Sequence, residues 1–173
     1  ADELNNLRAI YEPCGYQVLS ASAKTQEGLG EIHHVLAGKM TTVAGPSGVG
    51  KSSLINLLSP EADVETGELS GKIDRGKHTT RHSQLLCIDK DTYIMDTPGF
   101  SSLYLTEIDK EDLGHYFREF ETYEPYCRFQ GCSHTHEPDC GVKAALAEGK
   151  VSPVRYEDYV MLYEELKNAR KYN

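Results

Sequence analysis

The chain has 173 residues, a formal net charge of −9 and five cysteines. This length supports one good hydrophobic core, or one domain with a small appendage. The net negative charge argues against a general polyanion-binding surface, and the odd number of cysteines argues against a complete disulfide framework. Because no stretch resembles a membrane span or a signal peptide, we expect a cytoplasmic protein with no membrane partner.

Hydrophobic periodicity predicts helices alternating with strands over the first 120 residues. The predicted helices cover residues 3–11, 27–36 (ending near Gly38), 53–58 and 109–120. The predicted strands cover residues 16–19, 40–44, 83–89 and 92–96. Residues 59–80 are polar and rich in glycine, which predicts a long loop. This alternation predicts an α/β domain over residues 1–120 with a mostly parallel, doubly wound sheet.

The composition changes near Glu121, and we predict a second, small helical domain over residues 121–173. A short helix is predicted over 141–148. A final helix is predicted from Pro153, with Ser152 as its N-cap, to about residue 170. Its regularly spaced apolar side chains are interpreted as a packing face rather than a base-stacking surface. They are Tyr156, Tyr159, Val160, Tyr163 and Leu166.

Residues 45–52 match the phosphate-binding loop pattern G-x-x-x-x-G-K-[ST] between a predicted strand and a predicted helix. Glycines let the backbone N–H groups turn toward phosphate oxygens. Lys51 supplies a charge for the β- and γ-phosphates, and the Ser52 hydroxyl can ligate Mg²⁺. The residues expected to bind the nucleotide are Gly45, Ser47, Gly48, Val49, Gly50, Lys51, Ser52 and Ser53.

Two later segments are predicted to complete a site for triphosphate hydrolysis. Asp96 begins an Asp-Thr-Pro-Gly run after a strand, where its carboxylate can hold Mg²⁺ through water and the Gly99 N–H can approach the γ-phosphate. In residues 76–81 we predict that the Thr80 hydroxyl ligates Mg²⁺ from a loop that is released on hydrolysis, with Thr79 as the alternative. A polar loop leading into a strand is the competing interpretation of this run.

Guanine-recognition elements are predicted before the phosphate loop rather than after it. Ser22, Ala23 and Lys24 form a Ser-Ala-Lys run, in which the Ala23 N–H can donate to guanine O6. Asp2 can accept from guanine N1 and N2, as the remainder of an Asn-Lys-Ala-Asp element whose beginning precedes Ala1. Acidic residues also begin many helices without any such role, so this second interpretation of Asp2 stays open.

Three cysteines and a histidine lie close together in the C-terminal segment, at Cys127, Cys132, His134 and Cys140. Three thiolates and one imidazole form a closed four-coordinate set, which favours one structural zinc ion. His136 is a competing ligand. The remaining cysteines, at positions 14 and 87, are predicted to be small core residues.

This motif order and the Cys-x4-Cys-x-His-x5-Cys spacing resemble the RsgA (YjeQ/YloQ) family of circularly permuted GTPases across essentially the whole chain. The resemblance implies GTP hydrolysis to GDP, with Mg²⁺ and one Zn²⁺, by a monomer acting late in small-ribosomal-subunit assembly. It also implies activation by the subunit, and rRNA contact mainly through an N-terminal oligonucleotide-binding domain that this sequence lacks.

The expected catalytic residues are Lys51, His78, Thr80, Asp96 and Gly99. Phe100 follows the Asp-x-x-Gly element and cannot orient water, so His78 is the candidate for that role; a solvated loop histidine is the alternative. The competing functions are another permuted ribosome-assembly GTPase, an ATPase, and a nucleotide-stabilised RNA-binding module without significant hydrolysis.

Overall fold

The computed structural model describes residues 2–59, 84–96 and 108–169. Its α-helices are α1 (Asp2–Tyr11), α2 (Leu29–Leu36), α3 (Lys51–Leu58), α4 (Gly141–Ala147) and α5 (Pro153–Ala169). Its strands are β1 (Met40–Val43), β2 (Gln84–Asp89) and β3 (Thr92–Asp96). Short 3₁₀ helices cover Glu12–Cys14, Leu113–Tyr116, Arg118–Phe120 and Glu124–Tyr126. Among these described residues, no helix has both the length and the apolar character needed to cross a bilayer.

The described residues form two compact units, the first from residues 2–18 and 108–169 and the second from residues 19–59 and 84–96. The N-terminal helix α1 therefore groups with the C-terminal helices. The predicted domain boundary between residues 120 and 121 remains a prediction.

The second unit contains a three-stranded sheet in the order β1-β3-β2. β1 and β3 are parallel, with Val43 opposite Asp96, and β2 is antiparallel to β3. Helices α2 and α3 supply Leu36, Ile55 and Leu58 to a core that includes Ile94 of β3. The predicted strands 40–44 and 92–96 are confirmed to within one residue at each end, and the predicted strand 83–89 is confirmed over residues 84–89, since residue 83 lies outside the described residues.

The predicted strand over residues 16–19 is wrong, because these residues form no strand in the structure. The Tyr16 N–H donates to the Tyr11 carbonyl at 3.3 Å, and the two rings meet edge to face with centroids 6.5 Å apart. The segment is thus tied back onto the end of α1. Its apolar alternation reflects this local packing rather than a place in the sheet.

The predicted helix over residues 109–120 is also wrong, because the chain forms two separate 3₁₀ helices there. Phe117 lies between them with ψ 84°, which ends the first helical turn. Leu113, Phe117 and Phe120 have the i, i+4, i+7 spacing of one α-helical face, and all three are buried although the helix is interrupted. A continuous α-helix would hold Gly114 in its interior at a cost of about 1 kcal/mol relative to alanine.

Aromatic side chains dominate the core of the first unit. Tyr159 packs edge to face on Phe117 and Phe120, with centroids 5.1 and 4.9 Å apart. Leu166 is buried and the other stripe residues of α5 pack around this core, so the prediction of a packing face is confirmed. At the start of α5, the Ser152 carbonyl accepts the Tyr156 N–H at 3.0 Å.

The two cysteines outside the cluster differ in exposure. Cys14 is buried, as predicted, and its thiol donates to the Ile10 carbonyl at 3.3 Å. The prediction that Cys87 is a core residue is wrong, because its side chain is exposed. On β2 it occupies the same face as exposed Leu85, whereas Leu86 and Ile88 pack on the core.

A buried ion pair joins α5 to the segments packed against it. Arg155 donates to both carboxylate oxygens of Glu119, at 2.8 and 3.3 Å, and the two side chains are only 13 % and 6 % exposed. The guanidinium also lies 4.5 Å from the Phe117 ring centroid and 5.7 and 5.8 Å from those of Tyr11 and Tyr16. Burial acts to lower the pKa of Arg155, but the Glu119 contacts outweigh it and raise this pKa.

Replacing Glu119 with alanine should destabilise the chain strongly, because it leaves the Arg155 charge buried without its partner. We expect a loss of about 3–5 kcal/mol in the free energy of unfolding, measured by urea titration with tyrosine fluorescence. The control is Lys150→Ala, which removes an exposed pair with Glu148 and should change stability by less than about 0.5 kcal/mol. Equal effects of the two substitutions would contradict this role for the buried pair.

Candidate functional site

The phosphate-loop sequence and Asp96 emerge at the same edge of the sheet. β1 and β3 are adjacent and parallel, and their last residues, Val43 and Asp96, are paired in register. The loop 44–50 follows β1 directly. Ligands of open α/β sheets bind at the carboxyl ends of parallel strands, so this edge is the candidate nucleotide site.

The backbone of the loop has the conformations that its glycines permit. Gly48 and Gly50 have φ angles of 80° and 96°, a region that side chains rarely tolerate. Gly50 is the N-cap of α3, and its carbonyl accepts the Leu54 N–H at 2.9 Å. The first-turn N–H groups of α3 have no partner within the helix and point toward the loop, as in anion-binding sites.

Lys51 lies across the loop. Its Nζ donates to the carbonyls of Gly45 and Pro46, at 2.7 and 2.9 Å. The ammonium is therefore held against the backbone of the loop whose motif binds phosphate oxygens.

Asp96 is a buried acidic residue at the end of β3, on the sheet edge that the phosphate loop shares. Its side chain is 2 % exposed, and its Oδ1 has no hydrogen-bond partner among the described residues. Leaving a buried acceptor unpaired costs about 1–3 kcal/mol, more if it is charged. A water molecule bound to Mg²⁺ would satisfy this oxygen, so the residues present fit the ion that the phosphate-loop motif implies.

The Ser-Ala-Lys run forms a compact turn. The Ser22 N–H donates to the Glu27 carbonyl at 3.0 Å, and the Ser22 hydroxyl accepts the Thr25 N–H at 3.2 Å. The Thr25 hydroxyl donates to the Glu27 carboxylate at 3.0 Å. Gly28 closes the turn at φ 75°, where a Cβ atom would collide with the Ser20 carbonyl oxygen.

Several predicted site residues cannot be compared with the structure. His78, Thr79, Thr80, Gly99 and Phe100 lie outside the described residues. Asp2 is described as the exposed first residue of α1. An acidic residue there also stabilises the helix dipole, so both interpretations of Asp2 remain.

The predicted metal ligands converge in the first unit. The ligand atoms of Cys127, Cys132, His134 and Cys140 all lie within 4.8 Å of one another. Cys127 Sγ is 3.8 Å from Cys140 Sγ, and His134 Nδ1 is 3.5 and 3.4 Å from these two sulfurs. Tetrahedral zinc with ordinary bond lengths requires about 3.8 Å between sulfurs and about 3.6 Å between sulfur and nitrogen. The three distances among Cys127, His134 and Cys140 therefore fit a zinc ion, and Cys132 Sγ lies near enough, within 4.8 Å of each, to be the fourth ligand.

The surroundings also suit a bound cation. Backbone N–H groups of Gly141 and Lys143 donate to the sulfurs of Cys127 and Cys140, at 3.3 and 3.5 Å. Burial raises the pKa of Cys132 to about 12 and lowers that of His134. Without a cation the thiol keeps its proton, so metal binding would have to release it. The competing ligand His136 is exposed and lies 3.9 Å from Glu164 instead.

Residues outside the predicted set hold the loop that contains His134. Glu137 accepts the Ser133 N–H at 3.0 Å and its hydroxyl at 2.9 Å. Burial acts to raise the pKa of Glu137, but these hydrogen bonds outweigh it and lower the pKa to about 2. The carboxylate therefore stabilises the loop above its ordinary pKa, and that contribution is lost as pH falls toward 2. Lys143 Nζ donates to the carbonyls of Thr135 and Glu137, at 3.3 and 2.9 Å.

The fold and these two sites define a phosphate-loop α/β protein joined to a Cys₃His unit. A family model described as RsgA GTPase matches residues 1–106, and the chain belongs to this family. A relative from Agathobacter rectalis, described as "Small ribosomal subunit biogenesis GTPase RsgA", is 64% identical over 166 residues, which are 96% of this chain and 55% of that protein. A relative with the same description from Alkaliphilus metalliredigens is 46% identical over 99% of this chain and 59% of its own length.

Two solved structures are similar to that of this chain. YjeQ from Thermotoga maritima matches with a TM-score of 0.79 and 40% identity, over 95% of this chain and 54% of that one. YloQ, described as a circularly permuted GTPase, matches with a TM-score of 0.76 and 36% identity, over 97% and 52%. The predicted fold class, a permuted P-loop GTPase fold with a small C-terminal Cys/His unit, is confirmed. The chain spans 55% and 59% of the length of the two curated relatives named here.

Replacing Gly28 with alanine should distort the turn that contains Ser22 to Lys24, because the added Cβ meets the Ser20 carbonyl at positive φ. We expect a loss of about 1–3 kcal/mol in the free energy of unfolding, measured in urea. The matched control is Gly30→Ala in α2, where a Cβ meets nothing within 4 Å and should be neutral or stabilising. A Gly28→Ala variant as stable as the parent would show that the turn tolerates a side chain.

Proposed function

We propose that this chain is the catalytic part of a GTPase that hydrolyses GTP to GDP and phosphate during assembly of the small ribosomal subunit. The observation that carries the proposal is the register of β1 and β3. It brings the phosphate loop to the same edge of the sheet as buried Asp96, whose Oδ1 has no hydrogen-bond partner among the described residues. Membership of the RsgA GTPase family supports the same activity.

In this mechanism the backbone N–H groups of the loop and the Lys51 ammonium bind the phosphate oxygens. They stabilise the negative charge that develops on the bridging and γ-oxygens. Ser52 and Thr80 would hold Mg²⁺, with Asp96 oriented toward its bound water. The ion, when bound, supplies further neutralisation of phosphate charge.

The remaining catalytic and base-recognition roles are part of the proposal. His78 would orient the attacking water, and the Gly99 N–H would contact the γ-phosphate. Ala23, in the turn closed by Gly28, would donate its N–H to guanine O6, and Asp2 would recognise N1 and N2.

We also propose one structural zinc ion at Cys127, Cys132, His134 and Cys140. The distances among the ligand atoms of Cys127, His134 and Cys140 support the proposal, since they are close to the edges of a zinc tetrahedron. Cys132 Sγ lies within 4.8 Å of all three. With all four positions taken by protein, the ion has no site for substrate and acts by fixing the fold.

The proposed partner is the small ribosomal subunit. The names of the relatives from Agathobacter rectalis and Alkaliphilus metalliredigens refer to biogenesis of that subunit. The proposal also includes activation by the subunit and contact with its rRNA. It further includes a monomeric state and a cytoplasmic location.

Replacing Lys51 with alanine should reduce single-turnover GTP hydrolysis by on the order of 100-fold, because one charged donor to the transition state is lost. The rate is measured from radiolabelled phosphate release by the 173-residue chain, with and without purified small subunits. The control is Lys39→Ala, whose exposed ammonium bonds only the Val35 carbonyl among the described residues. This variant should keep the parent rate.

The same assay discriminates among the competing functions. A parent chain that releases no phosphate, even with subunits, would support a nucleotide-stabilised RNA-binding module. If Lys51→Ala hydrolysed GTP as fast as the parent, the proposal that this chain is a GTPase would be refuted. Tighter binding of ADP than GDP, compared by thermal shift, would favour an ATPase.

Removal of the metal should unfold the C-terminal part of the chain first. We expect the purified chain to contain one zinc per molecule by mass spectrometry, and chelation to lower its melting temperature by several degrees. Cys127→Ser should lose the metal, whereas Cys87→Ser, outside the cluster, should keep it. A melting temperature unchanged after complete chelation would exclude a structural metal.

A further inference from the structure

Two tyrosine hydroxyls of α5 donate to consecutive carbonyls of the loop that contains His134. Tyr159 donates to the Ser133 carbonyl at 2.7 Å, and Tyr156 donates to the His134 carbonyl at 2.7 Å. These are the peptide groups on either side of the His134 Cα atom. Because the orientation of those two groups determines φ and ψ, the tyrosines together determine the backbone conformation of His134.

His134 has a backbone conformation that requires such support. Its φ is 55°, in the left-handed region, which is uncommon for residues other than glycine. Conformations of this kind persist only when the surrounding structure determines them. The direction of the Cα–Cβ bond, and so the position of the imidazole, follows from this conformation.

The ring itself is also confined. His134 is 2 % exposed, and its ring meets that of Phe120 edge to face with centroids 5.6 Å apart. Its Nδ1 faces the sulfurs of Cys127 and Cys140. Gly114 lies beside the other ring nitrogen: a Cβ atom added at Gly114 would be 3.7 Å from His134 Nε2. A small backbone rotation at His134 would therefore move Nδ1 away from the thiols.

We propose that Tyr156 and Tyr159 are positioning residues for the metal centre, whose hydroxyls hold the backbone of His134 so that Nδ1 is directed at the ion. This rests on the proposed zinc binding at the Cys₃His cluster. The hydroxyls contact carbonyls next to a ligand rather than the ion. Loss of such outer contacts typically lowers metal affinity 10- to 100-fold.

A purely structural role for the tyrosines makes a different prediction. Tyr159 is buried and packs on Phe117 and Phe120 through its ring. If packing were its whole contribution, phenylalanine would replace it with no change at the metal. The Tyr→Phe substitutions therefore separate the two roles, because they keep the ring and remove only the donor.

The test compares Tyr156→Phe, Tyr159→Phe and the double variant with the parent chain. Zinc affinity is measured by competition with a chromogenic chelator, and ligand geometry by the d–d absorption of the cobalt(II)-substituted protein. The matched control is Tyr163→Phe, one turn further along α5, whose ring lies 6.1 Å from that of Tyr159. Among the described residues, Tyr163 makes no hydrogen bond to the loop that contains His134. Circular dichroism of each zinc-loaded variant establishes that it is folded.

We expect each single variant to bind zinc about tenfold more weakly and the double variant about 100-fold more weakly, with altered cobalt d–d bands. Tyr163→Phe should stay within about twofold of the parent. A double variant with parental zinc affinity and parental cobalt spectrum would overturn the proposal while leaving zinc binding intact. A parent chain that binds no zinc would instead refute the proposed metal centre, and the positioning role with it.

Discussion

The chain between Glu121 and Asp139 must adopt one conformation with almost no hydrophobic core of its own. His134 is the only buried side chain in this described stretch. Hydrophobic burial therefore cannot offset the conformational entropy of ordering it, which is about 1–2 kcal/mol per residue for the backbone alone. The zinc ion proposed at the four ligand atoms, which lie within 4.8 Å of one another, would supply the constraint that a core does not. Hydrogen bonds accepted by the Glu137 carboxylate and donated by Lys143 and the α5 tyrosines order the rest of the loop.

Helix α5 contacts two different segments of the chain, and these contacts explain which residues occupy its first two turns. Tyr156 and Tyr159 hold the loop around the Cys₃His cluster, while Arg155 pairs with Glu119 and lies against the rings of Tyr11 and Tyr16. The contacts of Arg155 and Tyr156, which are neighbours on α5, thus link α1 to the loop that contains His134. A residue with both a ring and a hydroxyl can fill the core and satisfy a buried carbonyl, which phenylalanine cannot do.

The features that sequence predicted best are those set by local spacing. The phosphate loop and the four clustered Cys and His residues depend on a few fixed positions, so their proximity follows from the order of the residues alone. The failures involve tertiary contacts. The apolar alternation at residues 16–19 serves packing on α1. At residues 109–120 the three side chains of the amphipathic pattern are buried, but two 3₁₀ helices interrupted at Phe117 place them rather than one α-helix. The hydroxyl contacts of the α5 stripe were not predictable, because periodicity identifies a buried face but not its hydrogen-bond partners.

The two candidate sites differ in how their polar groups are satisfied before any ligand binds. In the Cys₃His cluster the sulfurs already accept N–H groups, and the flanking carbonyls are bonded. At the sheet edge, the Asp96 Oδ1 is buried without a partner among the described residues. A folded scaffold tolerates such an atom at a cost of about 1–3 kcal/mol only if the rest of the core offsets it. Ile55, Ile94 and the register of β1 with β3 supply that support. The unsatisfied carboxylate is therefore available to interact with a cation and its water, and this is the role that the proposed GTPase requires of it.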